Sequence, residues 1–110
     1  MFTGSLIQDA RDGRWLQFTD PRALLVAHRP EDVRARLREA EERVEQEGCW
    51  AVGFLAYEAA PGFDRTLRAH PPGALPLLWL ALHPPPVPMA LPPPGPMAPP
   101  YDWQPSISRE

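Results

Sequence analysis

A proline-rich segment late in the chain limits what the remaining residues can build. The sequence has 110 residues and 17 prolines, and more than half of these prolines fall within residues 84–100. Proline has no backbone N–H donor and a fixed φ, so this segment cannot form an interior helix or a central strand. Residues 1–83 are left for one small domain, and a domain of this size has a marginal core.

The charged residues argue against a nucleic-acid partner. The net charge is −3, every basic residue is arginine, and the arginines alternate with acids in "RPEDVRARLREAEERVEQE" (29–47). Without a basic face, binding to a phosphate backbone is not expected. The lone Cys49 cannot form an intrachain disulfide, and residues 1–14 lack the basic start of a secretory signal. No run approaches the roughly 20 apolar residues of a membrane span, so we expect a cytoplasmic protein.

The N-terminal third predicts short strands. "WLQFTD" (15–20) alternates between two sides, and "SLIQDARDGR" (5–14) places a short apolar start before the turn signal Asp12-Gly13. Together these two stretches predict a β-hairpin. The apolar run "ALLVAH" (23–28) predicts a further strand.

The hydrophobic period becomes helical between residues 30 and 47. Pro30 suits the first helical position, and Gly48 suits the residue that ends the helix. Two acid–arginine pairs, Asp32 with Arg36 and Glu39 with Arg43, are expected at a spacing of four residues. The apolar residues draw one narrow stripe, formed by Val33, Leu37, Ala40 and Val44.

Two later segments are apolar on both sides of a strand. These are "CWAVGFLAYE" (49–58) and "PLLWLAL" (76–82). A strand without a polar face is typical of the middle of a covered sheet, and Gly53 indicates the close approach of another backbone or a bulge. The sequence therefore predicts an α+β fold: a small antiparallel sheet of four or five strands, one main helix packed on one face, and a Pro-rich C-terminal tail.

A single helix with a narrow stripe cannot cover both faces of such a sheet. Leaving large apolar side chains in water is costly, at roughly 1.5–3 kcal/mol each. We therefore predict an uncovered apolar face, with Trp50 and Trp79 as exposed interface residues. In the isolated chain this face is expected to support a homodimer.

Few residues suggest chemistry. The three histidines lack the spacing of a metal site, and no catalytic residue, metal ligand or cofactor is predicted in this chain. Glu58 follows the apolar strand directly, and two interpretations stay open for it. It caps a helix or pairs with an arginine such as Arg65, or it lines a ligand pocket or domain interface together with Tyr57 and Asp64.

Several segments, in order, carry a resemblance to a known family. "LQFTDPRALLVAH", "GCWAVGFLAYEAAPGFD", "PLLWLAL" and "WQPSISRE" resemble the N-terminal region of aminodeoxychorismate synthase component I, also called para-aminobenzoate synthase component I. This family belongs with anthranilate synthase and isochorismate synthase among the chorismate-utilising enzymes. The resemblance implies a parent enzyme that converts chorismate, with ammonia from a glutamine amidotransferase subunit, to 4-amino-4-deoxychorismate on the way to folate.

The resemblance also implies a division of the chain. Residues 1–83 would be the N-terminal domain and 84–102 a Pro-rich linker. Residues 103–110, with Ser108 as a helix N-cap, would begin a chorismate-binding domain that holds the Mg²⁺ and chorismate ligands. The 110-residue chain alone is then expected to be inactive. Residues 6–9 read Leu-Ile-Gln-Asp where relatives that bind tryptophan read Leu-Leu-Glu-Ser, so the resemblance does not carry a tryptophan site to this chain.

Two other functions fit the sequence. One is a stand-alone regulatory domain that binds a small aromatic ligand near Tyr57 and Glu58. The other is an interaction module that presents its prolines to an SH3- or WW-type groove, since Pro85–Pro88 fits the PxxP pattern. An arginine beside that motif would favour the module, but none lies between Arg68 and Arg109.

Overall fold

Six strands and one main helix make up the fold. The computed structural model describes residues 4–107 and shows two three-stranded antiparallel sheets, so the α+β class predicted from the sequence is confirmed. The prediction of a single sheet of four or five strands was wrong, because the strands divide between two sheets. The predicted N-cap at Ser108 lies outside the described residues. The strands are β1 (Ser5–Gln8), β2 (Trp15–Phe18), β3 (Ala23–Ala27), β4 (Trp50–Leu55), β5 (Leu78–His83) and β6 (Val87–Met89).

The small sheet has the order β1-β2-β6 and contains the predicted hairpin. Gly13 takes a φ of 73° in the hairpin turn, a left-handed value that glycine adopts without strain. The third strand, β6, lies within the segment that the sequence assigned to a linker. It pairs with β2 at the edge of the sheet. Because no strand of the described chain lies on its other side, Pro88 is tolerated there although it has no N–H to donate. The 84–102 linker itself stays a prediction.

The main helix, α1 (Pro30–Glu47), begins and ends where the sequence indicates. Pro30 occupies the first turn, and Gly48 takes a left-handed conformation in which its N–H donates to the Val44 carbonyl. The predicted ion pairs were wrong. Asp32 and Glu39 pair instead with the arginines three residues before them, because residues three and four apart are both neighbours on a helix. The observed pairs are Arg29–Asp32, Arg36–Glu39 and Arg43–Glu47.

The main sheet has the order β3-β5-β4, with α1 on one face. The hydrophobic core lies between this face and the helix, and it is closed by a 3₁₀ helix at Tyr57–Gly62. Its buried members come from both sheet and helix: Leu25, Ala27, Val33, Ala40, Cys49, Ala59, Leu77, Leu78 and Leu82.

The central position belongs to β5 alone. The prediction that residues 49–58 form a covered middle strand was wrong, since β4 is an edge strand and is exposed along most of its length. The chain returns from the 3₁₀ helix and inserts β5 between β3 and β4. The close approach predicted at Gly53 is confirmed, because a Cβ there would collide with the backbone carbonyl of Trp79.

Candidate functional site: an open apolar face

The face of the main sheet that points away from α1 is apolar. Antiparallel pairing with β5 places alternate residues of all three strands on this side. We call this surface the open face. It consists of Leu24, Val26, Trp50, Val52, Phe54, Trp79, Ala81 and His83.

Much of the open face is in contact with solvent. Leu24, Trp50 and Phe54 are 53%, 48% and 38% exposed. The Phe54 and Trp79 rings stack with centroids 6.3 Å apart and planes 6° apart. No member of this face is Asp, Glu, Arg or Lys. A contiguous uncharged apolar patch on a small domain is typical of an interaction surface.

The two tryptophans predicted as exposed interface residues both lie on the open face. Trp50, on edge strand β4, is the exposed one. Trp79 is half-buried, because it lies on the central strand and packs against Phe54. The structure therefore brings these two residues to the same surface but makes Trp50 the more accessible.

The small sheet borders one end of the open face through Phe18. This residue is buried, and its ring centroid lies 5.9 Å from that of Trp50 and 5.8 Å from that of His83. The His83 ring is buried as well, and its Nδ1–H donates to the Thr19 carbonyl oxygen at 2.9 Å. Because a carbonyl only accepts, Nε2 is left as an acceptor, and among residues 4–107 it has no partner.

A concavity of about 270 Å³ opens beside His83. His83 is the last residue of β5 and was not singled out as a site residue from the sequence. The signal was present, since His83 continues the alternation of Trp79 and Ala81. The lining residues are Gly4, Ser5, Pro21, Leu24, Trp79, Ala81 and His83.

Tyr57, Glu58 and Asp64 do not converge on one site. Tyr57 is 87% exposed and borders a second, shallow concavity of about 490 Å³ that Leu55 and Leu67 also line. Glu58 is half-buried and is not part of this lining. Of the interpretations left open for Glu58, pairing with Arg65 is not observed, since Glu58 forms no ion pair within the described part of the chain.

Asp64 belongs to a local turn. Its carboxylate accepts hydrogen bonds from the backbone N–H of Thr66 at 2.9 Å and from the Thr66 hydroxyl at 2.7 Å. Both bonds favour the ionised form and lower the pKa of Asp64 below its usual value. Both bonds go to Oδ1, and Asp64 does not line the concavity beside Tyr57.

Between residues 4 and 107, His, Cys, Asp and Glu side chains form no group of three that could hold a metal ion. Over the same residues, no helix combines the length and the apolar character needed to cross a membrane. Comparisons with protein-family models, curated proteins and solved structures find no match. The open face is therefore the feature of this fold that most directly suggests a function.

Proposed function

We propose that this chain is the N-terminal, non-catalytic domain of an aminodeoxychorismate synthase component I, a cytoplasmic enzyme of p-aminobenzoate and folate biosynthesis. The support is the ordered resemblance of the segments around Phe18, Trp50 and Trp79. The parent enzyme would make 4-amino-4-deoxychorismate from chorismate and ammonia. A glutamine amidotransferase subunit would supply the ammonia. Mg²⁺ would be held by the chorismate-binding domain and not by this chain.

The observation that carries this proposal is the open face. Three large apolar side chains on it, Leu24, Trp50 and Phe54, remain exposed, while α1 covers the opposite side of the sheet over β3 and β5. Burying each of them in an interface is worth roughly 1.5–3 kcal/mol at most. In the parent enzyme the chorismate-binding domain would lie against this face, so the domain described here would act as a scaffold rather than as a catalyst.

One observation supports a second candidate, a small-ligand regulatory domain. The shallow concavity beside Tyr57 has mainly apolar walls and includes Phe63 and Leu67. Its polar side chains do not converge, which is the weakness of this candidate. The Pro-rich interaction module has less support, because Val87 and Pro88 of the PxxP region pair with β2.

Binding to a separately produced chorismate-binding domain of a component I enzyme tests the leading proposal. We expect the 110-residue chain to bind that domain by titration calorimetry and to make no product from chorismate and ammonia by itself. Leu24→Glu should weaken the binding at least about tenfold, because it places an unpaired charge in the interface. Gln46→Glu, which adds the same charge on the exposed side of α1, is the matched control.

Two results would contradict the proposal. One is product formation by the isolated chain. The other is binding that Leu24→Glu and Gln46→Glu weaken equally, since the interface would then not include the open face. Calorimetric binding of a small aromatic compound that Tyr57→Ala abolishes would favour the regulatory-domain candidate instead.

A further inference from the structure

The segment after the prolines exposes several apolar side chains. Tyr101, Trp103 and Ile107 are 76%, 86% and 81% exposed. They alternate with Asp102, Gln104 and Ser106, which gives the segment one apolar and one polar side if it pairs or packs as a strand. The Tyr101 and Trp103 rings already contact each other, with centroids 6.1 Å apart. We call residues 101–107 the arm.

The open face alone is too small to hold two copies together. From the exposed fractions of Leu24, Trp50 and Phe54 and the roughly 150–250 Å² of a large aromatic side chain, it offers on the order of 300 Å² per copy. Two such faces would bury about 600 Å², well below the roughly 1,200–2,000 Å² of a stable interface. A direct face-to-face dimer is therefore not favoured.

Adding the arm brings the buried area into the stable range. Its three exposed apolar side chains contribute on the order of 450 Å² per copy. If each of two copies seats its arm on the other's open face, the total reaches about 1,500 Å², close to a standard interface. Such an exchange is reciprocal and closes with two-fold symmetry, so no further copies are added.

The concavity beside His83 matches one arm residue chemically. The indole Nε1–H of Trp103 is a donor only, and His83 Nε2 is a buried acceptor without a partner among the described residues. The concavity of about 270 Å³ is large enough for an indole ring, and Leu24 and Trp79 supply apolar walls. An aromatic anchor in a pocket is the usual centre of a protein interface.

The prolines place the arm away from its own sheet. Residues 92–100 are exposed and contain six prolines. Such a segment is semi-rigid, with about 3.1 Å per residue in the polyproline II conformation. The arm of the described chain remains exposed and does not lie on its own open face, which favours a second copy as the occupant.

We infer that residues 101–107 form an exchange arm, and that the arm of one copy seats on the open face of a second copy with Trp103 in the concavity beside His83. The inference does not depend on the proposed enzyme family. It concerns the 110-residue chain as it stands and uses the face, the concavity and the arm of this chain alone.

Sedimentation equilibrium of the full chain and three variants tests this inference. We expect the wild type to be a dimer and Trp103→Ala to weaken association at least about tenfold. Leu24→Glu should weaken it similarly from the side of the face. Met97→Ala is the matched control, because Met97 is a 98% exposed apolar residue of the same tail that lies outside the arm.

Mixing the two defective variants separates arm exchange from other arrangements. Trp103→Ala retains an intact face and Leu24→Glu retains an intact arm, so a one-to-one mixture keeps one intact arm–face contact. It should associate more tightly than either variant alone and more weakly than the wild type. A wild-type monomer would overturn the inference. A dimer that Trp103→Ala leaves unchanged would also overturn it, because that dimer would use the faces without the arms.

Discussion

Strands β4 and β5 have similar sequences and opposite environments. Both are apolar on both sides, as "WAVGFL" and "LWLALH" show. Yet β5 is largely buried while β4 is mostly exposed. Leu78 and Leu55 face each other directly across the two strands, and they are 0% and 49% exposed. Apolar composition alone therefore does not decide burial; the position of a strand in the sheet does.

The same contrast separates the two faces of the main sheet. One face is covered over β3 and β5, where α1 packs and presents the narrow stripe that includes Val33 and Ala40, and is exposed along β4. The other face is bordered by the small sheet at one end only, where Phe18 contacts Trp50 and His83. The covered face stabilises the domain, and the open face is available for binding.

The largest expected effect on stability comes from replacing Leu78, with Leu55 opposite it on β4 as the comparison. Leu78→Ala should lower the free energy of unfolding by about 2–5 kcal/mol, because it leaves a cavity in the core. Leu55→Ala should cost less than about 1 kcal/mol, since half of its side chain is already in solvent. Urea denaturation followed by circular dichroism measures both. Equal losses at the two positions would show that β4 is covered in solution.

Gly53 tests the tight contact between the same two strands. Gly53→Ala should destabilise the domain by about 1–3 kcal/mol, because its Cβ would press against the Trp79 carbonyl and force β4 away from β5. Gly95→Ala is the control, since a Cβ at Gly95 meets no atom within 4 Å. If Gly53→Ala leaves the free energy of unfolding unchanged in the same urea experiment, β4 and β5 do not approach each other closely at this position.

Trp50→Glu tests the accessibility of the open face. We expect the fold to persist, with a stability change of about 1 kcal/mol or less, because the new carboxylate can reach solvent. At protein concentrations low enough to keep the chain monomeric, binding of a hydrophobic dye should fall clearly relative to the wild type and to Gln46→Glu. Loss of the far-ultraviolet circular dichroism signal would instead show that Trp50 is part of the core.

The smallest effect concerns the connection between β4 and β5. In an NMR titration, Asp64 should ionise below the usual value of about 3.9, because Thr66 donates two hydrogen bonds to its carboxylate. Since the folded-state pKa is depressed, the stabilisation is present above the unfolded pKa and is lost as the pH falls through the folded one. Thr66→Val removes the hydroxyl donor and should raise the Asp64 pKa. An Asp64 pKa that Thr66→Val leaves unchanged would contradict the hydrogen bond from the Thr66 hydroxyl.

The sequence predicted most of the local structure. The hairpin around Gly13, the limits of α1 at Pro30 and Gly48, and the close approach at Gly53 follow from backbone preferences that depend on neighbouring residues only. The separation of Trp50 and Trp79 from the helix-facing residues follows from the two-residue period of a strand. Both tryptophans of the candidate site could therefore be named in advance.

Strand order and the composition of the site required the tertiary structure. No local preference makes β5 central and β4 an edge strand, because strand order depends on which distant segments of the chain pair with each other. The same holds for His83, which is buried only because Phe18 and the Thr19 carbonyl reach it from another sheet. The arginine partners of Asp32 and Glu39 were also decided by side-chain geometry rather than spacing. The sequence by itself determined the elements other than β6, and their apolar sides, since these depend on short-range sterics and periodicity. Only the tertiary structure decided which apolar side remained uncovered, because burial is a property of contacts between distant segments.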